Sequence, residues 1–440
     1  MRYSYRTAGD KKPFVKRAVP VLLVLLAAGG AWLWLVKFES EKPAVSLAGE
    51  SRFVAPELKL RAEDRKSGLA ALTVEAVQGE RTVTLLEEAY PDGPALVEKA
   101  LAMRPVPEGL IDGELRLRIT AKDFSWKRNK TILDKALVLD SRPPRPVVLG
   151  GPHYVNQGGA GLIVVTTNEE SSSAGVRVGE AWFSGFPLAG NRYAVYFALS
   201  HGTPRDAPFL VRAEDEAGNW GEAHFRPNVK PKLPRLDRIE VSDGFLAGVI
   251  PYFKDQDPSL QGSDFEIFLA MNRTQRETDA ERIRTICRTS APERLWSGAF
   301  TRMLGKPMAA FGQERTYYYR GEEVDRQVHL GVDIASLMQS PIPAGNDGRV
   351  VFTGPLGIYG ETVILDHGCG LFSMYSHMSV IDVSPGASVA KGDILGRTGQ
   401  TGMAGGDHLH FAVIVQGVFV DPVEWWDPHW VQDNIDLKLK

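Results

Sequence analysis

Short apolar runs separated by glycines follow Gly305 in this 440-residue chain, and this pattern constrains the fold more than any other feature. The candidate strands are RVVFTG from Arg349, TVILDH from Thr362, LFSMYSHM from Leu371, DILGRT from Asp393 and HLHFAVIV from His408. No segment of helical periodicity separates them, whereas the crossovers of a parallel sheet need one. The pattern therefore predicts an antiparallel β domain.

Composition extends the β prediction to most of the chain. The 44 glycines and 28 prolines favour strands and turns. Hydrophobic residues make up 43% of the chain, which is enough for packed cores and excludes general disorder. A formal net charge of −3 argues against nucleic acid as a partner. At this length we expect about three domains.

The N-terminus combines a basic tail with an apolar segment. Residues 1–17 carry a net charge of +5, and residues 18–36 contain no charged side chain. Nineteen residues are long enough, at about 1.5 Å each, to cross a hydrocarbon core of about 30 Å. We predict a cytoplasmic tail at 1–17, a single transmembrane anchor at 18–36 and a main body in the periplasm or cell-wall space. A cleaved signal peptide is the alternative, but the apolar stretch that continues to Val36 favours the anchor.

Two segments ahead of the C-terminal β domain share a strand-and-turn pattern. LRLRITAKDFSWKRN, residues 115–129, and FLVRAEDEAGNWG, residues 209–221, alternate apolar with polar residues and continue into Ala-x-Asp and a turn with Asn. A proline-rich linker follows each segment. We predict two immunoglobulin-like β-sandwich modules, at 45–142 and 143–230, which act as spacers or bind cell-envelope proteins.

Residues 236–305 interrupt the β pattern and predict a short helical connector. Ser263 and Glu266 have the spacing of a helix-capping box before an apolar run. Pro292 suits the first turn of a further helix that contains Leu295 and Trp296.

The two cysteines allow at most one intramolecular disulfide. Cys287 lies in the predicted connector, and Cys369 lies in the predicted β domain. We therefore expect two unpaired thiols, so that stability comes from the hydrophobic cores and from metal.

Side chains that bind metals concentrate near the C-terminus, because six of the nine histidines lie in residues 329–440. His329 and Asp333 flank Gly331, which disfavours a helix and lets the chain curl so that both side chains aim at one point. His408 and His410 alternate along a strand and therefore share one face. Imidazole and carboxylate groups are good zinc ligands, so these four residues predict a metal site or a polar cleft.

His377 is a fifth candidate polar group, in the sequence Tyr375-Ser376-His377. Strand alternation predicts that it shares a face with Ser373 and Tyr375. Alone it would be read as a hydrogen-bonded surface histidine. The remaining histidines are expected to have structural or surface positions: His153, His201, His224, His367 and His429.

The order HLGVD, then YSH, then GDHLHF resembles the lysostaphin/LytM-type peptidoglycan zinc metallopeptidase family over residues 306–428. The resemblance implies an antiparallel β peptidase domain in which His329, Asp333 and His410 bind one zinc ion per chain. It also implies that His377 and His408 act in catalysis, with zinc-bound water as the nucleophile. Three protein ligands leave the fourth position for that water.

The function implied by this resemblance is that of a membrane-anchored zinc metalloendopeptidase. Its substrate would be the peptide stems or cross-links of peptidoglycan, and the N-terminal helix would contact the membrane. The alternative is a catalytically silent LytM-type regulator or scaffold that activates another cell-wall hydrolase, or a tether that acts through the β modules. A complete set of ligands favours the enzyme. Residues 429–440 are predicted to be a C-terminal tail.

Overall fold

The computed structural model describes residues 14–440, and this part of the chain divides into two compact units. The first contains the chain up to Arg142 together with Glu216–Asn219, and the second contains Pro143–Asp215 and Trp220–Lys440. The domain boundaries predicted inside these units stay predictions. Most of the predicted cytoplasmic tail, residues 1–13, lies outside the described residues.

Helix α1 (Phe14–Lys37) covers the segment predicted to be a transmembrane anchor. Its apolar side chains from Val21 to Leu26, together with Trp32 and Trp34, are more than half exposed. Within residues 14–440, however, no helix has the length and apolar character needed to span a membrane. The predicted anchor is therefore not confirmed.

The first unit is built from two antiparallel sheets. Its strands are β1 (Ala44–Leu47), β2 (Glu57–Glu63), β3 (Leu69–Gln78), β4 (Arg81–Ala89), β5 (Leu96–Ala102), β6 (Gly113–Asp123) and β7 (Lys130–Leu139). One sheet has the order β1-β2-β5 and the other β4-β3-β6-β7. Strand β6 alternates as predicted, because Leu115, Leu117 and Ile119 are buried between exposed or half-buried neighbours. Its immunoglobulin-like character stays a prediction.

The second unit begins with two four-stranded antiparallel sheets. Its first strands are β8 (Val147–Leu149), β9 (Tyr154–Asn156), β10 (Ala160–Thr166), β11 (Ser171–Val178), β12 (Ala181–Ser184), β13 (Phe186–Leu188), β14 (Arg192–Ala198), β15 (Phe209–Asp215), β16 (Trp220–Phe225) and β17 (Asn228–Lys230). The sheet orders are β13-β14-β10-β8 and β12-β11-β15-β16, and β17 pairs with β9 in parallel.

Helices follow in the predicted connector, after strand β18 (Leu236–Val241). They are α2 (Asp243–Gln256), α3 (Asp264–Ala270) and α4 (Arg276–Ile286), with a π-helical turn at Met271–Gln275 between the last two. The capping box of Ser263 and Glu266 is confirmed.

The helix predicted after Pro292 is wrong, because residues 287–305 form no helix. Long-range contacts hold this segment instead. The amide of Leu295 donates to the carbonyl of His367, and the Trp296 ring lies 5.5 Å from that of Trp425, centroid to centroid. Tertiary packing thus outweighs the local helix signal.

The C-terminal part of the second unit is strand-rich, as predicted. Its strands are β19 (Lys306–Ala309), β20 (Gln313–Tyr319), β21 (Glu322–His329), β22 (Val332–Ala335), β23 (Pro341–Pro343), β24 (Gly348–Pro355), β25 (Glu361–Asp366), β26 (Leu371–Ile381), β27 (Ser388–Val389), β28 (Ile394–Thr398), β29 (Leu409–Val415) and β30 (Val418–Val420). Ten of them form one antiparallel sheet with the central order β19-β22-β29-β26-β25-β24-β27. Strands β18, β20 and β21 form a smaller sheet, in which β18 runs parallel to β20.

Most buried apolar residues of the second unit form one hydrophobic core, which extends from Val155 to Ile435. Helices α5 (Pro422–Trp426), α6 (Pro428–Val431) and α7 (Leu437–Leu439), with a π-helical turn at Gln432–Asp436, complete it. Within the predicted tail, Val431 and Ile435 are fully buried. Cys287 and Cys369 are both buried and unpaired, which confirms the prediction of two free thiols.

Candidate metal centre

Three neighbouring strands bring His329, Asp333 and His410 together, and we call these residues the His/Asp cluster. His329 is the last residue of β21, Asp333 lies in β22, and His410 lies opposite Asp333 in the register of β22 and β29. Gly331 permits this approach, since a Cβ atom there would lie only 2.5 Å from the imidazole of His410. All three members are at least nine-tenths buried.

The donor atoms of the His/Asp cluster converge on one point. His329 Nε2 lies 3.0 Å from both Asp333 Oδ1 and His410 Nδ1, and the last two atoms are 2.9 Å apart. Ligands at zinc bonds of about 2.0–2.1 Å lie about 3.3 Å apart in a tetrahedron. The triangle is therefore close to the size that zinc requires, and its two nitrogens and one oxygen fit that ion.

Hydrogen bonds behind the cluster orient its donors. His329 Nδ1 donates to the carbonyl of Ala310 at 3.0 Å, which leaves Nε2 free to face the cluster. Arg315 Nη2 donates to Asp333 Oδ2 at 3.3 Å and leaves Oδ1 facing the two histidines. Such contacts fix the tautomer of an imidazole and the rotation of a carboxylate.

A β-bulge turns His377 toward the His/Asp cluster. Strand β26 uses three residue steps, from Tyr375 to Met378, where β25 uses two, and His377 has a left-handed backbone with φ of 62°. Its ring centroid lies 5.8 Å from that of His410, whereas the neighbour Ser376 is the residue in register with His410. The predicted shared face with Ser373 and Tyr375 is therefore wrong, because the extra residue resets the alternation.

His408 joins the same face as His410, as strand alternation predicts. Its Nε2 atom lies 3.6 Å from Asp333 Oδ1, and its ring centroid lies 4.9 Å from that of His377. Its Nδ1 donates to the carbonyl of Gly406 at 2.8 Å. Asp407, which precedes it, accepts hydrogen bonds from the Thr398 hydroxyl and a backbone amide and so holds this loop in place.

Burial and the charges of neighbouring groups shift the pKa values of the histidines and of Asp333 in opposite directions. Burial lowers the pKa of His377 well below its usual range and that of His410 to about 4. Burial also acts to raise the pKa of Asp333, but the surrounding histidines outweigh it and hold that pKa well below normal. For His408, burial lowers the pKa, and the Asp333 carboxylate more than offsets this, so the pKa is raised.

A cavity of about 230 Å³ opens onto the His/Asp cluster, His377 and His408. Arg276 of α4, Arg315 of β20 and Tyr359 also line it. No local sequence signal indicates these residues, because neither arginine stands in a metal-ligand pattern. Arg315 reaches the site only through the pairing of β20 with β18 and β21.

The remaining histidines lie outside this site. His367 is fully buried in the turn after β25, where its Nδ1 and Nε2 atoms contact the Asp347 carbonyl and the Ser373 hydroxyl at 2.6 and 2.7 Å. His429 is 90% exposed at its side chain. His153, His201 and His224 do not line the cavity.

Comparison with known proteins identifies this region. Residues 327–422 match the model of Peptidase family M23. The DD-carboxypeptidase/endopeptidase Mpg of Neisseria meningitidis is 35% identical over 97 residues, which cover 22% of this chain and 22% of that protein. The peptidoglycan DD-endopeptidase ShyA of Vibrio cholerae is 37% identical over 89 residues, which cover 20% and 21%. The chain thus spans about a fifth of the length of these relatives.

Solved structures also match parts of this chain. The catalytic domain of lysostaphin from Staphylococcus simulans is 27% identical, with 28% of this chain and 92% of that chain covered and a TM-score of 0.24. A putative peptidase M23 from Pseudomonas aeruginosa covers 61% of this chain and 93% of its own length, with 23% identity and a TM-score of 0.39.

Proposed function

Residues 327–422 form a peptidase M23 domain, and from this premise we propose that the protein is a zinc metalloendopeptidase that hydrolyses peptide bonds in peptidoglycan. The observation that carries the proposal is the convergence of three donor atoms, two imidazole nitrogens and one carboxylate oxygen, at mutual distances of 2.9–3.0 Å. Three protein donors beside an accessible cavity are typical of catalytic zinc sites, whereas structural sites use four.

The His/Asp cluster would hold the zinc ion in this proposal. When bound, zinc supplies a Lewis acid that activates water and polarises the scissile carbonyl group. The His377 imidazole donates through Nδ1 to the Thr401 carbonyl at 2.8 Å, so its Nε2 carries the lone pair that can accept a proton. His408 has the same arrangement, because Gly406 accepts from its Nδ1. These two residues are our candidates for moving the proton and for stabilising the developing oxyanion.

The substrate proposal rests on the relatives. Both curated relatives described above carry names of endopeptidases, and one of these names specifies peptidoglycan. Peptide stems or cross-links of peptidoglycan are therefore the substrate class that we propose. The rival function, a catalytically silent regulator of another cell-wall hydrolase, is favoured less, because all three proposed metal ligands are present and converge.

Digestion of purified peptidoglycan tests this function. We expect the full chain to release fragments whose masses correspond to hydrolysis of a peptide bond, while the glycan bonds remain intact. Removal of metal should abolish release, and one equivalent of zinc should restore it. Metal-bound, folded protein that releases no fragments, yet stimulates a second hydrolase, would support the regulator instead.

We also propose that the main body works outside the cytoplasm and that the N-terminal segment attaches it to the cytoplasmic membrane. The support is the basic tail at 1–17 and the exposed apolar side chains of α1. The β strands between residues 45 and 230 would then act as spacers or contact cell-envelope proteins. A reporter enzyme fused after Lys440 should be active only in the periplasmic or extracellular form, and the fusion should sediment with membranes. A fusion that is active in the cytoplasm would contradict this location.

A further inference from the structure

A second group of carboxylates lies in the first unit, and we call Glu39, Asp64 and Asp123 the acidic cluster. One oxygen atom from each carboxylate lies within 4.8 Å of the other two. Glu39 and Asp64 are 6% exposed, and Asp123 is 1% exposed. Glu39 follows α1, Asp64 stands in the turn between β2 and β3, and Asp123 ends β6. Three carboxylates buried together require compensation from protons or cations.

In the part of the chain that the structure describes, Lys66 interacts electrostatically with Glu39 and Asp64 but forms an ion pair with neither. Within that part of the chain, no lysine or arginine forms an ion pair with a member of the acidic cluster. Lys66 pairs with Glu41 instead, at 2.9 Å. Lys37 approaches the carbonyl of Ser67 at 3.5 Å and lies over the ring of Phe124. The ammonium groups of Lys66 and Lys37 thus make their direct contacts with groups beside the acidic cluster.

Hydrogen bonds hold the two aspartates in fixed orientations. Asp64 Oδ1 accepts from the amides of Lys66, Ser67 and Gly68 at 2.9–3.1 Å. Asp123 Oδ1 accepts from the amide and hydroxyl of Ser125, and its Oδ2 accepts from the side chain of Asn129. These bonds use one oxygen of Asp64, so its other oxygen is left for a further partner.

Two buried oxygen atoms in this region have no hydrogen-bond partner among the described residues. They are Glu39 Oε2 and Ser67 Oγ. The Ser67 amide donates to both Glu39 Oε1, at 3.1 Å, and Asp64 Oδ1, at 2.9 Å, so Ser67 lies between these two carboxylates. A buried oxygen without a partner loses its hydration and gains nothing in return, which costs about 1–3 kcal/mol, and more for a charged group.

We propose that the acidic cluster is a calcium-binding site. Its anionic ligands are the carboxylates of Glu39, Asp64 and Asp123, and the hydroxyl of Ser67 is a neutral ligand. Calcium takes six to eight oxygen ligands in a flexible arrangement, and every donor here is an oxygen. Zinc prefers nitrogen and sulfur, and magnesium keeps most of its waters, so this donor set favours calcium over both. Bound calcium would fix the segment after α1 to the β2–β3 turn and to the end of β6.

Calorimetric titration of the full chain with CaCl₂ tests this proposal. The protein is purified without chelator and dialysed into metal-free buffer. We expect one calcium ion per chain with a dissociation constant of about 10⁻⁵ to 10⁻³ M, at least tenfold weaker binding of MgCl₂, and a rise in the thermal midpoint of the first unit. Glu39→Gln keeps the shape of the side chain and its acceptor for Ser67, and it should weaken calcium binding at least tenfold.

Glu41→Gln is the matched control, because Glu41 lies two residues away and its side chain is 71% exposed. It removes the same charge and should leave calcium binding within about twofold, since exposed ion pairs contribute little. Circular dichroism establishes that each variant is folded. A wild-type chain that binds no calcium at millimolar concentration overturns the proposal, as does equal binding of magnesium or undiminished calcium binding by folded Glu39→Gln.

Discussion

The His/Asp cluster and the acidic cluster differ in the groups that surround their carboxylates. In the second unit, Asp333 Oδ1 faces two imidazole nitrogens at 2.9–3.0 Å. In the first unit, the hydrogen-bond partners of the acidic cluster among the described residues are backbone amides, the Ser125 hydroxyl and the Asn129 side-chain amide, with no imidazole. Mixed nitrogen and oxygen donors favour a borderline ion such as zinc, whereas oxygen donors alone favour a hard ion such as calcium. The donor type, more than the number of buried carboxylates, thus determines the metal that each unit is suited to bind.

One substitution in each cluster should show that the two clusters bind different metals independently. These substitutions have the largest expected effects. His410→Ala removes one of the three proposed zinc donors, so we expect loss of most of the zinc and of peptidoglycan hydrolysis, with calcium binding unchanged. Glu39→Gln should weaken calcium binding and leave zinc content and peptidoglycan hydrolysis unchanged. Metal analysis and calorimetry on both variants make the measurement. Loss of both metals in either variant would mean that the clusters are not independent.

The histidines beside the His/Asp cluster should affect rate without affecting metal content. His377→Ala or His408→Ala should lower turnover by about 100-fold or more, because each removes a group that is placed to transfer a proton or stabilise negative charge. Zinc should stay near one equivalent. His429→Ala is the control, since that side chain is 90% exposed and does not line the cavity. Zinc loss in the His408 variant would mean that His408 binds the zinc and that His410 has the catalytic role.

Several parts of this site could be predicted from the sequence because their signals are local. The His329-to-Asp333 spacing and the alternation of His408 with His410 each lie within five residues. The strands β24, β25, β26, β28 and β29 followed from apolar runs between glycines. In each case, a period of two or a glycine in a turn determines the local geometry without knowledge of distant contacts.

Other parts depend on contacts between distant segments and could not be predicted. The bulge at His377 exists only relative to β25, so no pattern within YSH indicates it. The Ala-x-Asp pattern predicts the turn at Asp123, but Glu39 approaches Asp64 and Asp123 from a separate segment. Arg315 likewise reaches Asp333 from a strand of the smaller sheet. Long-range register and packing decide these positions, and a single sequence does not specify them.

Arg315 should have a smaller effect, through the orientation of Asp333. Arg315→Gln removes the donor to Asp333 Oδ2, and we expect zinc affinity to fall by about 10–100-fold, as for other residues that orient a metal ligand. Arg315→Lys retains the charge and should recover part of this loss. Competition with a zinc chelator measures the affinity. Affinity that is unchanged in both variants would exclude a positioning role.

Glu424 provides a buried carboxylate that forms no ion pair among the described residues, and its substitution should have the smallest effect. Its oxygens accept from the Ala160 amide at 2.9 Å and from Asn156 at 2.7 Å. Burial raises its pKa from 4.5 to about 7. The folded state therefore holds a proton that the unfolded chain releases, and the associated stability is lost as pH rises through about 7.

Glu424→Gln should remove this pH dependence. Each pKa unit corresponds to about 1.4 kcal/mol, so the wild-type thermal midpoint of the second unit should fall between pH 5 and about pH 8 more than that of the variant. Parallel curves for the two proteins would show that Glu424 keeps an ordinary pKa.

Anomalous diffraction at the zinc absorption edge, from crystals of the full chain, tests the central claim most directly. We predict one zinc peak in the second unit, at bonding distance of about 2.0–2.2 Å from His329 Nε2, Asp333 Oδ1 and His410 Nδ1. His377 and His408 should lie beside the ion without binding it. The absence of a zinc peak at the His/Asp cluster in zinc-loaded crystals, or a peak bound through His408 in place of His410, would contradict the account.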